Sequence, residues 1–525
     1  MPPIKELVKR LLYPCSSQPQ FKDRTAVIQA GSQGVEDKVI THQQYGELID
    51  AAEAVFAGAG VQKQDKVLLT APNCAELGAA MIAVFRLGAV AVPVDFRLTA
   101  GEVANVAKQI SAKVVVAWGK ALPGITAELA GTIAGERLLD ISVLSLDAAK
   151  SSTEFKPSCD LADDMNLSAP AFIILTSGTT GVPKGAVHCL GTLVQNLQEL
   201  GNLVELDDTK RGLLPLPLSH IFGFEVFDIC IMRGACVIFT DLAPTSFFTC
   251  LAKYKPQILV GVPTIYSAML NLDAKTIGLD NAEVMLSGGA PMPLSLAQEF
   301  EKKFGKRLNN GYGSTESKII ALNLDGPHES VGKTIESAKV EIVNEKDELL
   351  PDGETGQIRI SGPCNMQGYL NNKEGTDQVL RGNSYYTGDL GRLEKGYLYI
   401  SGRSKEMIIV AGNKVFPNEV EDTLRKNRMV KEVAVFGLPH KQLGQIVKAT
   451  IVITDDGLSK QLEGSAEDIK AARQELISAM KEFCKDNLKR ELRPMDWDFL
   501  PASKSLPKTA SGKVDKKQLV PAVVS

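Results

Sequence analysis

Short β-type runs alternate with segments of helical period along most of the chain, and this alternation restricts the fold most. From Lys66 the order is "KVLLT", then "CAELGAAMIAVFRLG", then "AVAVPVD". Further β-type runs are "AKVVVAW", "AFIIL", "ACVIFT", "PQILVGVP" and "EVMLSGG". Because strands that are joined through helices lie parallel, the pattern predicts an α/β fold with parallel sheets covered by helices on both faces.

The character of the chain changes after about Val331. Strand-like runs separated by Asp-Gly-type turns predict a β-subdomain there. From Lys405 a short α+β pattern follows, with the strands "VKEVAVFGLP" and "QIVKATIVITDD" and a charged amphipathic helix from Ala466 to Lys489. We therefore predict a large N-terminal domain, residues 1–404, and a small mobile α+β C-terminal domain, residues 405–525.

Composition excludes several classes of partner. The 58 basic and 62 acidic residues give a net charge of −4, which provides no general attraction to nucleic acid or to an anionic membrane. The nine cysteines contain no CxxC pair, and the N-terminus resembles no secretory signal. The longest apolar stretch, Leu77 to Val94, contains Arg86 and is expected to be a core helix and strand. We expect a cytoplasmic protein without stable membrane insertion.

The stretch "LTSGTTGVPKG", Leu175 to Gly185, follows the β-type run "AFIIL". Its glycines allow backbone N–H groups to approach an anion closely, and its hydroxyls and Lys184 add donors and charge. The simplest ligand is a polyphosphate, and a flexible surface turn is the alternative. The stretch is not a Walker A loop, because Pro183 precedes the lysine and Gly185 follows it.

The longer string "ILTSGTTGVPKGAVH" resembles the phosphate-binding motif of the adenylate-forming superfamily. Other strings also resemble motifs of that superfamily, in its order and spacing: "PLSHIFGFEV", "LSGGAP", "NNGYGSTES", "YYTGDLGRLEKGYLYISGRSKEMIIVAGNKVFPNEVE" and "LPKTASGKVDKK". The resemblance covers essentially the whole chain. It implies a ligase that joins a carboxylic acid to ATP, giving acyl-adenylate and pyrophosphate, and then passes the acyl group to a thiol.

The resemblance also implies which residues hold ATP and Mg²⁺. Lys184 would hold the β- and γ-phosphates, Thr315 would donate near the α-phosphate, and Glu316 with Thr176 would bind Mg²⁺. Tyr312 would stack on adenine, and Asp389 would accept hydrogen bonds from the ribose hydroxyls. Arg403 would contact the ribose or the α-phosphate region from the side opposite Asp389. The remaining residues expected in the nucleotide site are Ser177, Gly178, Thr179, Thr180, Gly181, Gly288, Gly289, Ala290, Gly311 and Gly313.

The C-terminal domain is expected to contribute to both half-reactions. Lys513 resembles the lysine that enters between carboxylate and α-phosphate, and Lys405 stands at the hinge position of the family. Gly412, with Lys414 beside it, would let the thiol arm pass after the domain rotates. Lys513 is therefore the expected catalytic residue of the first step.

The acyl pocket is expected beside His220, a candidate gate at its mouth. The pocket residues implied by resemblance are Phe222, Phe224, Glu225, Val226, Gly289, Gly311, Gly313, Ser314 and Ile319. Most are apolar or small, which suits a fatty or aromatic acid. Ser314 and Lys318 depart from the common pattern, and we expect Glu225 to point outward into solvent; an inward Glu225 could pair with an amino group of the substrate.

The expected partners are a small carboxylic acid and coenzyme A. A stand-alone ligase that loads an acyl or aminoacyl group onto the phosphopantetheine of an acyl carrier protein is the alternative. A luciferase-like oxidative enzyme, which would use the same acyl-adenylate, is a further alternative. A nucleotide-binding module without activity would be expected to lack Lys513 or Glu316, and both are present.

Overall fold

The computed structural model describes residues 2–31, 36–145, 165–176, 183–241, 243–273, 277–454, 457–508 and 514–519. The predicted strand–helix–strand order after Lys66 is present as Lys66–Thr70, Ala75–Arg86 and Val90–Pro93. The charged helix of the C-terminal region is present as Ala466–Asn487.

The α-helices, in chain order, are α1 Ile4–Leu12, α2 His42–Gly58, α3 Ala75–Arg86, α4 Ala100–Ile110, α5 Leu122–Leu129, α6 Leu190–Leu203, α7 Ile221–Arg233, α8 Pro244–Tyr254, α9 Pro263–Met269, α10 Leu294–Phe304, α11 Lys373–Val379, α12 Pro417–Arg425, α13 Gly457–Gln461 and α14 Ala466–Asn487. The first thirteen strands are β1 Thr25–Gln29, β2 Lys38–Thr41, β3 Lys66–Thr70, β4 Val90–Pro93, β5 Val114–Ala117, β6 Leu138–Asp140, β7 Pro170–Thr176, β8 Lys184–Cys189, β9 Arg211–Leu214, β10 Cys236–Phe239, β11 Ile258–Gly261, β12 Val284–Ser287 and β13 Asn309–Ser314. The others are β14 Lys318–Leu322, β15 Lys333–Thr334, β16 Lys339–Val343, β17 Gly356–Ser361, β18 Gly368–Tyr369, β19 Leu380–Arg381, β20 Ser384–Glu394, β21 Tyr397–Arg403, β22 Ile408–Val410, β23 Asn413–Val415, β24 Val430–His440, β25 Gly444–Ile453 and β26 Asp496–Leu500.

Two large sheets form the N-terminal part of the chain. One has the order β18-β8-β7-β4-β3-β5-β6, and the other has the order β15-β14-β13-β12-β11-β9-β10-β1-β2. Their central strands pair in parallel, whereas β8, β18, β14, β15 and β2 add antiparallel edges. The predicted parallel sheets are therefore present, and each antiparallel edge comes from a hairpin or a strand that returns from a later segment.

Two smaller sheets follow. Strands β16, β17, β20, β19 and β21 form an antiparallel sheet, which is the predicted β-subdomain. Strands β23, β22, β25, β24 and β26 form the sheet of the C-terminal region. That sheet encloses its own hydrophobic core, which runs from Ile408 to Phe499. The boundary at residue 405 stays a prediction, although it falls just before this core begins.

Helix α1 packs into the large domain. Leu7, Val8, Leu11 and Leu12 are buried, and the helix contacts α6 and α7. Its amphipathic pattern is explained by this packing, since apolar residues at helical spacing face one side. Among the described residues, no helix combines the length and apolar character needed to span a membrane.

Arg86 illustrates how a charge is accommodated in the apolar stretch of α3. Its side chain is buried, and its Nη1 lies 2.6 Å from Asp50 and 3.1 Å from Glu53. The guanidinium also donates to the Leu12 carbonyl at 2.7 Å and lies over the Tyr13 ring. The charge is therefore paired and hydrogen-bonded, which a buried ion requires.

Candidate functional site

The predicted phosphate-binding stretch is the turn of an antiparallel hairpin. Strand β7 ends at Thr176, strand β8 begins at Lys184, and these two residues are register partners. The pair therefore closes the base of the loop. The other expected residues of this loop lie outside the described residues: Ser177, Gly178, Thr179, Thr180 and Gly181.

Tyr369 connects the phosphate hairpin to the expected metal carboxylate. The Lys184 ammonium lies over the Tyr369 ring, 5.0 Å from its centroid. The Tyr369 hydroxyl donates to Glu316 Oε1 at 2.7 Å. Strand β18, which carries Tyr369, pairs with β8 and so brings the ring beside Lys184. Sequence analysis missed this residue, because it lies 53 positions after Glu316 and outside the motifs considered.

The turn that carries Thr315 and Glu316 is held through its backbone. His188 lies 2.7 Å from the Thr315 carbonyl, and the Met366 N–H donates to the Glu316 carbonyl at 2.6 Å. Ser317 N–H donates to Ser314 Oγ at 3.1 Å and closes the turn. These contacts from separate segments hold the backbone of the turn, which a preorganised site requires.

His188 acts through its neutral form. Burial lowers the pKa of His188 well below its ordinary value, and Lys318 contributes to the same shift. Because a carbonyl accepts, the neutral ring must carry its proton on Nε2 to donate to Thr315. The ring also stacks on Phe172, with centroids 5.0 Å apart. His188 therefore supports the turn that carries Thr315.

The expected ribose-binding residues come together at β20 and β21. The Tyr312 hydroxyl donates to Asp389 Oδ2 at 2.6 Å, and Arg403 Nε lies 3.3 Å from Asp389 Oδ1. Asp389 and Arg403 are register partners in adjacent strands. Burial raises the pKa of Tyr312 well above its ordinary value, so its hydroxyl stays neutral and remains a donor. Stacking of Tyr312 on adenine stays a prediction.

Two glycines follow β12, and each is restricted for a different reason. A Cβ at Gly288 would lie 2.9 Å from the ring of Phe222, and Gly289 has φ of 76°. Gly313 faces a similar restriction, because a Cβ there would lie 2.5 Å from the Lys318 carbonyl oxygen. A side chain at Gly288 or Gly313 would therefore displace neighbouring atoms, whereas Gly311 has more space; that these residues and Ala290 line the nucleotide site stays a prediction.

His220 lies at the N-terminus of α7. Its Nδ1 accepts from the Phe222 N–H at 3.4 Å, so the imidazole caps the helix. The loop before it is held by Asn73, whose amide donates to the Leu216 carbonyl at 2.8 Å and accepts from Leu218 N–H at 3.0 Å. Asn73 was not identified from sequence, because its partners lie more than 140 positions away.

The expectation that Glu225 points into solvent is wrong. The residue is 1% exposed, and its Oε2 accepts from the Ile319 N–H at 3.1 Å. Burial raises the pKa of Glu225 to about 8, although Lys318 and the Ile319 N–H act in the opposite direction. Helix α7 is buried on nearly every side, so it has no solvent face onto which a polar residue could turn.

Lys318 is the first residue of β14, which pairs with β13, and its side chain is fully buried. Its Nζ donates to the Cys364 carbonyl at 2.5 Å and lies 3.5 Å from Thr192 Oγ1. Burial lowers the pKa of Lys318. Lys318, which departs from the common sequence pattern of the family, therefore lies inside the protein.

Asp228, one turn after Glu225 in α7, is also buried. Neither of its carboxyl oxygens has a hydrogen-bond partner in the part of the chain that is described.

The expected hinge and thiol-facing residues lie at the start of the C-terminal region. Lys405 is exposed in a 3₁₀ turn, Ser404–Glu406, directly after β21. Gly412 has φ of 85° in the turn between β22 and β23, and the Lys414 ammonium lies 3.7 Å from Glu345. Lys513 lies outside the described residues.

Two family models match most of this chain. The AMP-binding enzyme model matches residues 16–370, and the AMP-binding enzyme C-terminal domain model matches residues 419–513. A feruloyl-CoA synthase from an Amycolatopsis species is 30% identical over 408 residues, 76% of this chain and 80% of its own length. The long-chain-fatty-acid–CoA ligase FadD13 of Mycobacterium tuberculosis is 29% identical and covers 92% of this chain and 93% of its own.

Among solved structures, the ATP-bound RpMatB–BxBclM chimera B1 is similar over 98% of both chains, with a TM-score of 0.83 and 25% identity. The predicted fold class and the family resemblance are thereby confirmed. The protein therefore belongs to the AMP-binding enzyme family of adenylate-forming acid–CoA ligases.

Proposed function

We propose that this protein is an ATP-dependent, AMP-forming ligase that activates a fatty or aromatic carboxylic acid as acyl-adenylate and transfers it to coenzyme A. The observation that supports this most directly is the contact of Tyr369 with both Lys184 and Glu316. It joins a phosphate-binding cation and a metal-binding carboxylate in one framework. If Lys184 and Glu316 bind the same polyphosphate, the distance between them has to be fixed, and Tyr369 contacts both side chains.

In the first half-reaction a carboxylate must approach the α-phosphate of a polyanion. Each like-charge pair at about 4 Å costs on the order of 4 kcal/mol at an effective dielectric constant of about 20. Lys184 would offset the charge of the β- and γ-phosphates, and Lys513 would enter between the two reacting groups. Thr315, whose backbone is held by His188, would donate near the α-phosphate.

Magnesium would be held by oxygen ligands of this chain. Glu316 is a carboxylate whose Oε1 is fixed by Tyr369, and Thr176 offers a hydroxyl at the base of the hairpin. One or two protein oxygens combined with phosphates and water is the usual environment of Mg²⁺ in proteins, so these residues fit. When bound, the ion would reduce the negative charge of the phosphates.

In the second half-reaction the acyl carbonyl must be reached by a thiol. We propose that residues 405–525 rotate as a domain about Lys405, which removes Lys513 and presents Gly412 and Lys414 to the thiol arm. Coenzyme A is the proposed acceptor, and the relatives that act as CoA ligases support this choice. A carrier-protein phosphopantetheine remains the alternative acceptor.

A panel of fatty and aromatic acids tests the proposal. Pyrophosphate and AMP are measured with ATP and Mg²⁺, and each acid is offered with coenzyme A or with a phosphopantetheine carrier protein. We expect acid-dependent pyrophosphate release that K513A reduces strongly, and thioester formation with coenzyme A. Release that does not depend on any acid, or full activity of K513A, would contradict the proposal.

The hinge is tested separately with K405P. Proline restricts φ at the residue about which the domain is proposed to turn. We expect adenylate formation to continue while thioester formation is lost, with K405A as the control that changes the same side chain but leaves the backbone at that residue unrestricted. An equal loss of both half-reactions in K405P would refute the hinge.

A further inference from the structure

The chain on both sides of Lys513 is attached to the rest of the C-terminal region. Lys508 and Val514 form an antiparallel bridge, and the Asp515 N–H donates to the Pro507 carbonyl at 2.7 Å. Lys513 itself lies outside the described residues, but it directly precedes Val514 in the chain. Consecutive Cα atoms lie about 3.8 Å apart, so the placement of Val514 limits the positions that are open to Lys513.

Apolar contacts hold the same segment against the C-terminal sheet. Leu506, Val514 and Leu519 belong to one cluster with Ala434 of β24 and Val452 of β25. Hydrophobic contacts are non-directional, so they keep the segment on the sheet without fixing how it is oriented there. A single orientation of the segment requires a directional contact in addition.

Lys516, three residues after Lys513, supplies such a contact. Its Nζ lies 2.8 Å from Glu421 Oε1, and the Glu421 side chain is only 7% exposed. A second carboxylate, Glu406, lies 3.9 Å from the same ammonium and is 48% exposed. An exposed pair at that distance contributes little, because solvent screens it. The short, largely buried pair with Glu421 is therefore the contact that orients Lys516.

Glu421 is held independently of Lys516. The Val435 N–H of β24 donates to its Oε1 at 2.9 Å, and Arg425 Nη2 lies 3.2 Å from its Oε2. These two contacts come from the strand and the helix, α12, between which the carboxylate lies. Because both oxygens already have partners, the carboxylate keeps one position, and it offers Lys516 a fixed point of attachment.

We propose that Glu421 and Lys516 are positioning residues for Lys513: their ion pair holds the chain after Lys513 in the one arrangement from which its ammonium reaches the acid and the α-phosphate. This inference rests on the proposed ligase function and adds two residues to it. Neither residue touches a substrate, since both act through Lys513. Because Lys513 serves only the first half-reaction in that function, the ion pair is needed for adenylate formation and not for thioester formation.

Separate measurement of the two half-reactions on the full chain tests the inference. Adenylate formation is followed as pyrophosphate release with the most active acid of the panel and no thiol. Thioester formation is followed from synthetic acyl-adenylate and coenzyme A, which bypasses the first step. In K516M we expect kcat for adenylate formation to fall by about tenfold to a hundredfold, as for a displaced catalytic group, while thioester formation stays close to the wild-type rate.

Further variants assign the effect to the ion pair. E421Q keeps an oxygen that can accept from the Val435 N–H but removes the charge, so it should reproduce K516M, whereas K516R should keep most of the activity. E419Q and K504A are the matched controls, because they change exposed residues of α12 and of the segment before Lys508, and both should behave as the wild type. Thermal unfolding of each variant shows whether the fold is intact.

A double variant tests whether Lys516 acts through Lys513. In single-turnover measurements, K513A/K516M should form adenylate no more slowly than K513A, because a positioning residue has no effect once the group that it positions is gone. A further loss in the double variant would overturn the inference.

The remaining outcomes separate this inference from the proposed function. Wild-type adenylate formation in both K516M and E421Q, or an equal loss of both half-reactions in these variants, would overturn the positioning role alone. If the wild type released no pyrophosphate with any acid, or if K513A kept full activity, the proposed function itself would be contradicted.

Discussion

The region proposed to bind the nucleotide and the region proposed to bind the acyl group differ in how their charged residues are buried. On the nucleotide side, Lys184, Glu316 and Asp389 are partly exposed and contact groups within the same framework. On the acyl side, Glu225 and Lys318 are almost completely buried, and Glu225 keeps an unpartnered oxygen in the described structure. The first region therefore leaves its charged groups accessible from solvent, as the proposed binding of a charged ligand requires, whereas the second region keeps ionisable groups in the protein interior.

The largest effect should come from removing the buried cation of the acyl side. K318M deletes the hydrogen bonds to Cys364 and Thr192 and leaves Glu225 without its nearby positive charge. We expect a loss of about 3–5 kcal/mol in the free energy of unfolding, as when one partner of a buried charge pair is removed. Urea unfolding measures the change.

The matched variant on the nucleotide side is K184M. Lys184 is partly exposed and contacts the Tyr369 ring, so its removal should cost less than about 1 kcal/mol of stability. It should nevertheless reduce pyrophosphate release. Equal destabilisation by K318M and K184M would contradict the contrast between the two sides.

A smaller effect, confined to activity, is expected for E316Q. The amide keeps the shape of the side chain but removes the charge that would bind Mg²⁺, so we expect about a hundredfold to a thousandfold loss of kcat for adenylation. The melting temperature should hardly change, because the backbone of the turn is still held by His188 and Met366. A loss that varies strongly from one acid to another would place Glu316 on the acyl side instead.

The smallest effect is expected for Y369F, which removes only the hydroxyl that donates to Glu316. A hydrogen bond to a charged group contributes about 1.5–3 kcal/mol, so we expect an affinity for ATP in the presence of Mg²⁺ that is weaker by about tenfold to a hundredfold. Calorimetry without any acid measures this binding directly.

Y369L is the comparison, since it also removes the ring beneath Lys184 and should weaken ATP binding further, even without Mg²⁺. Unchanged affinity in Y369F at every Mg²⁺ concentration would show that Tyr369 does not position Glu316.

The stretches that carry the expected site residues could be recognised in the sequence because each stretch is local, and the roles of those residues stay predictions. The hairpin that carries Thr176 and Lys184, and the turn that carries Thr315 and Glu316, each lie within one short string of residues. The sequence did not indicate the supporting residues that come from distant segments, such as Tyr369 and Asn73. Pairing of β18 with β8 brings Tyr369 into place, and no local pattern specifies that pairing.

The sequence alone determined the α/β alternation, the glycine-rich turn after strand β7 and the order of the motifs, because backbone propensity and glycine-rich turns act over a few residues. Only the tertiary structure decided that Glu225 faces inward and that Lys318 is buried. A helix covered on nearly every side gives no periodic signal of direction, so the packing of α7 against its neighbours sets where each polar group lies.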